Sequence, residues 1–195
     1  MIPRHLVFAG VVMLLAVFSL GIYAGRMRGR VTHVETRSDS RPVAPPVSGP
    51  TERVTLYVAY DDPGILRVQR ADIALPSARQ QRAEEVLRAL LEIYLSKNSP
   101  HPLAPGADLR AVYLVTPGIA VIDVNAAFAN GHRSGILEEE LTVASMIETL
   151  TANVPDILRV KILVEGLDRE TLAGHADLSD FYDAGSVSQL AGQLE

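Results

Sequence analysis

At 195 residues the chain has room for one domain with extensions rather than two full domains. It contains no cysteine, which excludes disulfides, Cys-ligated zinc, iron–sulfur clusters, a thiol nucleophile and a lipidated-cysteine anchor. Residues 31–195 carry fourteen basic residues against 23 acidic ones, a net of −9, so they lack the clustered Lys and Arg that phosphate contacts need, and nucleic acid is excluded as a partner class.

Residues 6–24, which open on Leu6 and close on Ala24, hold no formal charge. As a helix this run is about 28 Å long, close to the hydrocarbon thickness of a bilayer. It is apolar on every side, which points to a membrane anchor and not to a helix lying on the surface. The short basic start and the small residues Ser19 and Gly21 also fit a cleaved signal peptide, but Arg26, Arg28 and Arg30 directly behind the run favour an uncleaved anchor. The same arginines, counted by the positive-inside rule against Arg4, favour a cytoplasmic head. Gly21 and Gly25 form one G-x-x-x-G, which ordinary glycine use in membrane helices explains better than dimerisation.

Residues 1–30 are thus read as a transmembrane signal-anchor with basic flanks, and residues 31–53 as a flexible linker. The linker has Pro42, Pro45, Pro46 and Pro50 and no apolar periodicity. Extended at about 3.1 Å per residue, it would reach up to about 60 Å from the bilayer.

The head, residues 54–183, opens with an alternating strand at 54–60. The turn Asp61-Asp62-Pro63-Gly64 leads to a partner strand at 66–75. A helix follows Pro76, with Ser77 and Gln80 placed as a capping box. Ala83, Val86, Leu87, Leu90, Leu91, Tyr94 and Leu95 lie on one face of it. A loop at 97–106, broken by Pro100, Pro102 and Pro105, precedes a hairpin of strands 110–115 and 119–124 around Pro117-Gly118.

A second helix opens near Leu137, with Glu138, Glu139 and Glu140 in its first turn, and stops before Pro155. A closing strand spans 159–165. Residues 184–195 are small and polar and read as a flexible, frayed tail. The order is β-β-α-β-β-α-β: a compact α/β (α+β) domain with two helices on one face of a mixed sheet.

The segments Glu140-Leu-Thr-Val-Ala-Ser-Met-Ile-Glu-Thr-Leu-Thr151, Arg159-Val-Lys-Ile-Leu-Val-Glu-Gly166 and Leu172-Ala-Gly-His-Ala-Asp177 follow one another in a recognisable order and spacing. With the two opening strands and Val121-Ile-Asp-Val-Asn125, they make the head resemble the GerMN domain of the sporulation and spore-germination family. The resemblance covers residues 54–177. Gly166, Gly174, His175 and Asp177, with Thr149 and Leu150, stand as its structural signature. Ser99-Pro100 departs from the Gly-Pro that members often carry after the first helix. The resemblance implies an extracytoplasmic, membrane-tethered module, with a fold similar to the ring-building motifs of secretion and sporulation complexes. It places the head outside, against the arginine count, and supplies no catalytic residue.

The residues themselves offer few chemical candidates. His175 and Asp177, at i and i+2 on a loop, would suit acid–base work. No third group can be placed beside them, and a turn built on Gly174 explains them better. Residues 131–135 place Ser134 fourth, where a nucleophile elbow needs Ser third, so they read as a loop before a helix with Ser134 or a neighbour as its cap. His101, His132, His175, Asp123 and Asp177 show no metal-ligand spacing, so no metal and no cofactor is expected. Asp123 alternates with apolar neighbours and either faces solvent or satisfies a turn. Glu138 to Glu140 read as a solvated first turn in preference to a surface for a basic partner.

The expected function is therefore a non-enzymatic envelope module that binds another envelope protein or associates with itself. A cell-wall (peptidoglycan) binder is the alternative. An envelope hydrolase using His175 and Asp177 is the third reading.

Overall fold

Alternating apolar residues build the first hairpin in the computed structural model, which describes residues 50–115 and 117–192. The expected anchor at 6–24 and most of the linker lie outside the described residues, among which no helix is long and apolar enough to cross a membrane. Strand β1, Thr51–Tyr60, buries Val54, Leu56 and Val58. Strand β2, Ile65–Ala74, pairs with it antiparallel in an unbroken register, from Thr51 opposite Ala74 to Tyr60 opposite Ile65. The strand begins at Thr51, so the last residues assigned to the linker belong to the domain.

Helix α1, Arg79–Leu95, buries Ala83, Val86, Leu87, Leu90, Leu91 and Tyr94, the stripe its periodicity predicts. The capping box expected from Ser77 and Gln80 does not form: Ala78 is the N-cap, without a side-chain hydrogen bond, and Ser77 lies one residue too early. Strands β3, Leu109–Val115, and β4, Ile119–Val124, form the second hairpin. A short helix that sequence reading missed, α2 at Ala126–Asn130, follows with Asn125 as N-cap accepting from the Phe128 N–H.

Helix α3, Ile136–Asn153, then leads to β5, Arg159–Val164, which lies parallel to β4. After a long excursion the two-residue strand β6, Tyr182–Asp183, pairs antiparallel with β5. Residues 184–191, expected to fray, instead form helix α4, Ala184–Ala191. Asp183 caps it through the Ser186 N–H at 2.8 Å, and Val187 and Ala191 are buried. Small side chains hid this helix, because its apolar face has only those two anchors.

The α+β class and the order of the main elements hold. The strands, however, divide into two sheets instead of one: the hairpin β1-β2, and a four-stranded sheet in the order β3-β4-β5-β6. Helix α3 packs against β1, α1 packs against β3, and the two helices pack on each other. One continuous set of buried side chains joins all of these elements.

The physical reason for the division lies along the outer edge of β1. The Thr55 N–H donates to Asn153 Oδ1 at 3.0 Å, the Tyr57 N–H to Thr149 Oγ1 at 2.9 Å, and the Ala59 N–H to the Tyr94 hydroxyl at 2.9 Å. Asn153 Nδ2 donates back to the Thr55 carbonyl at 2.6 Å. Alternate backbone groups of β1 are thus satisfied by side chains of α1 and α3, where another strand would otherwise pair. Thr149 is fully buried in this role, and Leu150 beside it is fully buried in the core.

Candidate functional site

Two polar clusters grow from the first turns of α3, centred on Glu139 and Thr142. Glu139 is fully buried. Its Oε2 accepts the backbone N–H groups of Ala173 (2.9 Å), His175 (2.9 Å) and Ala176 (3.0 Å). Its Oε1 lies 3.0 Å from His175 Nδ1 and accepts the Gly135 N–H at 3.3 Å. Burial pushes the Glu139 carboxyl up. The His175 contact and the three backbone donors outweigh that effect and hold it at about 2. The solvated first turn expected of Glu138 to Glu140 is therefore wrong for Glu139, whose charge is spent on the backbone of the 173–176 turn. Glu140 is exposed.

His175 and Asp177 do not form a pair. The partner of His175 is Glu139, whereas Asp177 closes a local turn by accepting the Ser179 N–H at 2.8 Å and the Ser179 hydroxyl at 2.6 Å. That hydroxyl and the Ser179 N–H hold the Asp177 carboxyl below its ordinary value. Gly174 has φ +128°, a conformation side chains rarely adopt, and this places the His175 and Ala176 N–H groups on one oxygen. Gly166 has φ +74° and donates its N–H to Asp123 Oδ1 at 2.7 Å. Asp123 is buried and satisfies this turn; it does not face solvent.

Further bonds fix the excursion between β5 and β6. Buried Lys161 donates to the carbonyls of Leu178 and Ser179, each at 2.6 Å, and lies 3.0 Å from Asp168. Arg169 donates to Asn130 Oδ1 at 2.8 Å.

The second cluster joins residues far apart in the chain. Asp61 Oδ1 lies 2.5 Å from His101 Nδ1, and His101 Nε2 lies 2.5 Å from Thr142 Oγ1. His132 Nε2 approaches the same hydroxyl at 2.7 Å, and Arg133 donates to Asp61 Oδ2 at 2.6 Å. Asp61–His101–Thr142 has the acid–base–hydroxyl order of a nucleophilic relay. Solvent does not reach the base or the hydroxyl: Thr142 is 0% exposed and His101 3%. The Thr142 hydroxyl also donates to the Glu138 carbonyl at 3.0 Å. Burial, ahead of the opposing pull of Asp61, holds the His101 ring below its ordinary value. The cluster pins the loop after α1 and the loop before α3 to one helix turn. Ser134 does not cap α3: Gly135 is the N-cap, without a side-chain bond, and the Ser134 hydroxyl lies 3.4 Å from His175 Nδ1.

Of the residues weighed as metal ligands, Asp123, His175 and Asp177 are thus separately engaged, and only His101 and His132 come together. Among the described residues no group of three or more His, Asp or Glu side chains is arranged to hold a metal ion.

Beside the Glu139 clamp runs an open groove of about 480 Å³ between α3, the 175–177 turn, β6 and α4. Its floor is apolar, with Val143, Ala144, Ala176, Val187 and Leu190; Glu140, His175, Asp177 and Tyr182 rim it. Burial pushes the Tyr182 hydroxyl up to about 12, and that hydroxyl donates to the Asp177 carbonyl at 2.5 Å.

The chain is similar to several solved structures. The tandem GerMN domains of the sporulation protein GerM from Bacillus subtilis are 19% identical over 70% of this chain, with a TM-score of 0.51; the match covers 47% of that longer chain. The first GerMN domain of the same protein is 22% identical over 68% of this chain and 98% of its own, with a TM-score of 0.48. A candidate lipoprotein from Clostridium perfringens is 20% identical over 72% of this chain and 92% of its own, also with a TM-score of 0.48. No curated protein sequence matches. The profile of the Germane family, described as "Sporulation and spore germination", matches residues 55–170, ending short of the 172–177 turn. That span runs from β1 through β5 and takes in more than half of the chain, which therefore belongs to the Germane family of sporulation and spore germination.

Proposed function

We propose that this chain is a non-catalytic module, tethered to a membrane by residues 6–24, whose head lies outside the cytoplasm and binds another envelope protein or further copies of itself. One observation carries the reading: Glu139, the carboxylate that contacts His175, and Asp177, two residues beyond it, are both engaged by local backbone N–H groups. Both oxygens of Glu139 are occupied by the 173–176 turn and Gly135, and Asp177 is occupied by Ser179. A catalytic pair needs a lone pair or proton free for substrate. The groove offers shape and apolar surface instead, which suits binding. The charge-free run at 6–24 and the proline-bearing linker support the tether and its reach.

Separate experiments test each part of this reading. A periplasm-dependent reporter fused after Glu195 is expected to be active; activity only of a cytoplasm-dependent reporter would overturn the placement. Chemical crosslinking of native membranes is expected to give discrete protein adducts of the full chain. Retention on purified cell wall with no protein adduct would replace the protein partner by wall polymer. If His175→Ala folds but abolishes a hydrolytic turnover seen with the unaltered chain, the non-catalytic reading fails.

A further inference from the structure

The long strand edges of this domain are treated unequally. The outer edge of β1 is covered by Asn153, Thr149 and Tyr94. Along β3, helix α1 packs, and the Val112 N–H donates to Glu84 Oε1 at 3.3 Å. Strand β2 is ten residues long and has no bulge, no proline and, among the described residues, no strand on its other side. A long edge of regular register such as this is a template for a further strand.

The direction of its backbone groups follows from β1. Thr55, Tyr57 and Ala59 turn their N–H groups away from β2, so the facing pairs Thr55–Arg70, Tyr57–Val68 and Ala59–Leu66 are the non-hydrogen-bonded ones. In such a pair both residues point their N–H and C=O outward. Leu66, Val68 and Arg70, and by alternation Asp72 and Ala74, therefore present their backbone to the open edge.

The geometry points to this edge pairing antiparallel with the β2 edge of a second copy, across a two-fold axis at Ala71. Such an axis sets the outward backbone of Arg70 against that of Asp72 in the other copy, and the reverse, so two opposite-charge pairs form beside the axis. Both side chains are exposed and lie on one face of the strand. An axis at Arg70 or at Asp72 would set like charges directly opposite. Pairing Arg67 with Asp72 would join an inward backbone to an outward one and build no ladder. The charges and the hydrogen-bond directions of β2 thus agree on one register. The linker is a poor occupant of the same edge, because Pro42, Pro45, Pro46 and Pro50 have no N–H to give. The inference rests on the assembly reading above and narrows it to one surface.

The absence of cysteine makes the test clean. At the axis the two Ala71 Cα atoms would be about 4.5 Å apart, within disulfide range. Full-length Ala71→Cys in membranes, oxidised with diamide, is expected to give a disulfide-linked dimer; two thiols lose two protons and two electrons to the diamide. Ile73→Cys, off the axis, is expected to give about tenfold less. Adding Arg70→Asp or Asp72→Arg to Ala71→Cys is expected to lower the dimer about tenfold, and adding both is expected to restore it. Equal yields from Ala71→Cys and Ile73→Cys, or no rescue by the double exchange, would overturn the β2 pairing. If in that case the unaltered chain still crosslinks to another envelope protein, the assembly reading survives; if it crosslinks to nothing, both fall.

Discussion

The carboxylate of Glu139 grips the backbone of His175 as well as its ring, with Oε2 2.9 Å from the His175 N–H and Oε1 3.0 Å from Nδ1. The histidine in the most site-like stretch of the sequence is thus the anchored end of a loop clamp. Glu139→Gln puts an amide where two oxygens accept five donors, so at least one N–H loses its acceptor. We expect a loss of about 2–3 kcal/mol, read from urea unfolding, with the β1-β2 hairpin intact by amide exchange. A change below about 0.5 kcal/mol would show that the clamp does not hold the turn.

The same carboxylate sets an acid limit. Its folded value of about 2 lies below the ordinary 4.5, so its stabilising effect is complete above pH 4.5 and is lost as pH falls through about 2. The loss amounts to up to about 3 kcal/mol. Unfolding midpoints of the unaltered chain and Glu139→Gln, followed over this range, are expected to converge toward the acid end. Parallel curves would contradict the assignment.

Thr149→Val removes the acceptor of the Tyr57 N–H while preserving side-chain volume. The expected cost is about 1–3 kcal/mol, with faster amide exchange at Tyr57. Thr149→Ser, which keeps the oxygen, is expected to recover most of the protection. Failure of serine to recover it would mean that packing, not the hydrogen bond, is what threonine supplies.

His101 predicts a second, milder pH response. Its folded ring is held below the ordinary 6.5, mainly by burial, so the folded state takes up a proton less readily than the unfolded one. Stability from this group is therefore held above about pH 6.5 and declines as pH falls below it. Asp61→Asn removes the interaction that opposes burial, and the ring signals of His101 in NMR are expected to titrate at still lower pH. A move to higher pH would refute the role given to Asp61.

Periodic parts of the chain are legible in the sequence alone. The stripe from Ala83 to Tyr94 and the alternation of β1 declare themselves, because each repeats one local rule. The sites depend on contacts that no local rule encodes. Glu139 looks like an ordinary acidic residue near a helix start, and three of its five donors are backbone N–H groups 34 to 37 residues away, which carry no side-chain signal. Thr142 meets His101 across 41 residues. Thr149 and Asn153, one turn apart on α3, read as indifferent polar positions until β1 is laid along them. The single mixed sheet expected from element order fails for that reason: side chains occupy the edge where a strand would join.

The covered edge of β1 also governs how the domain would come apart. In a continuous sheet the backbone ladder survives any side-chain substitution. Here the hairpin's polar link to the helices passes through Asn153, Thr149 and Tyr94, with the Glu52–Arg82 pair beside them, and a single codon change can delete any one of these side chains. The seam between residues 51–74 and the helices is thus held by individual side chains and the shared apolar core, with no backbone ladder across it.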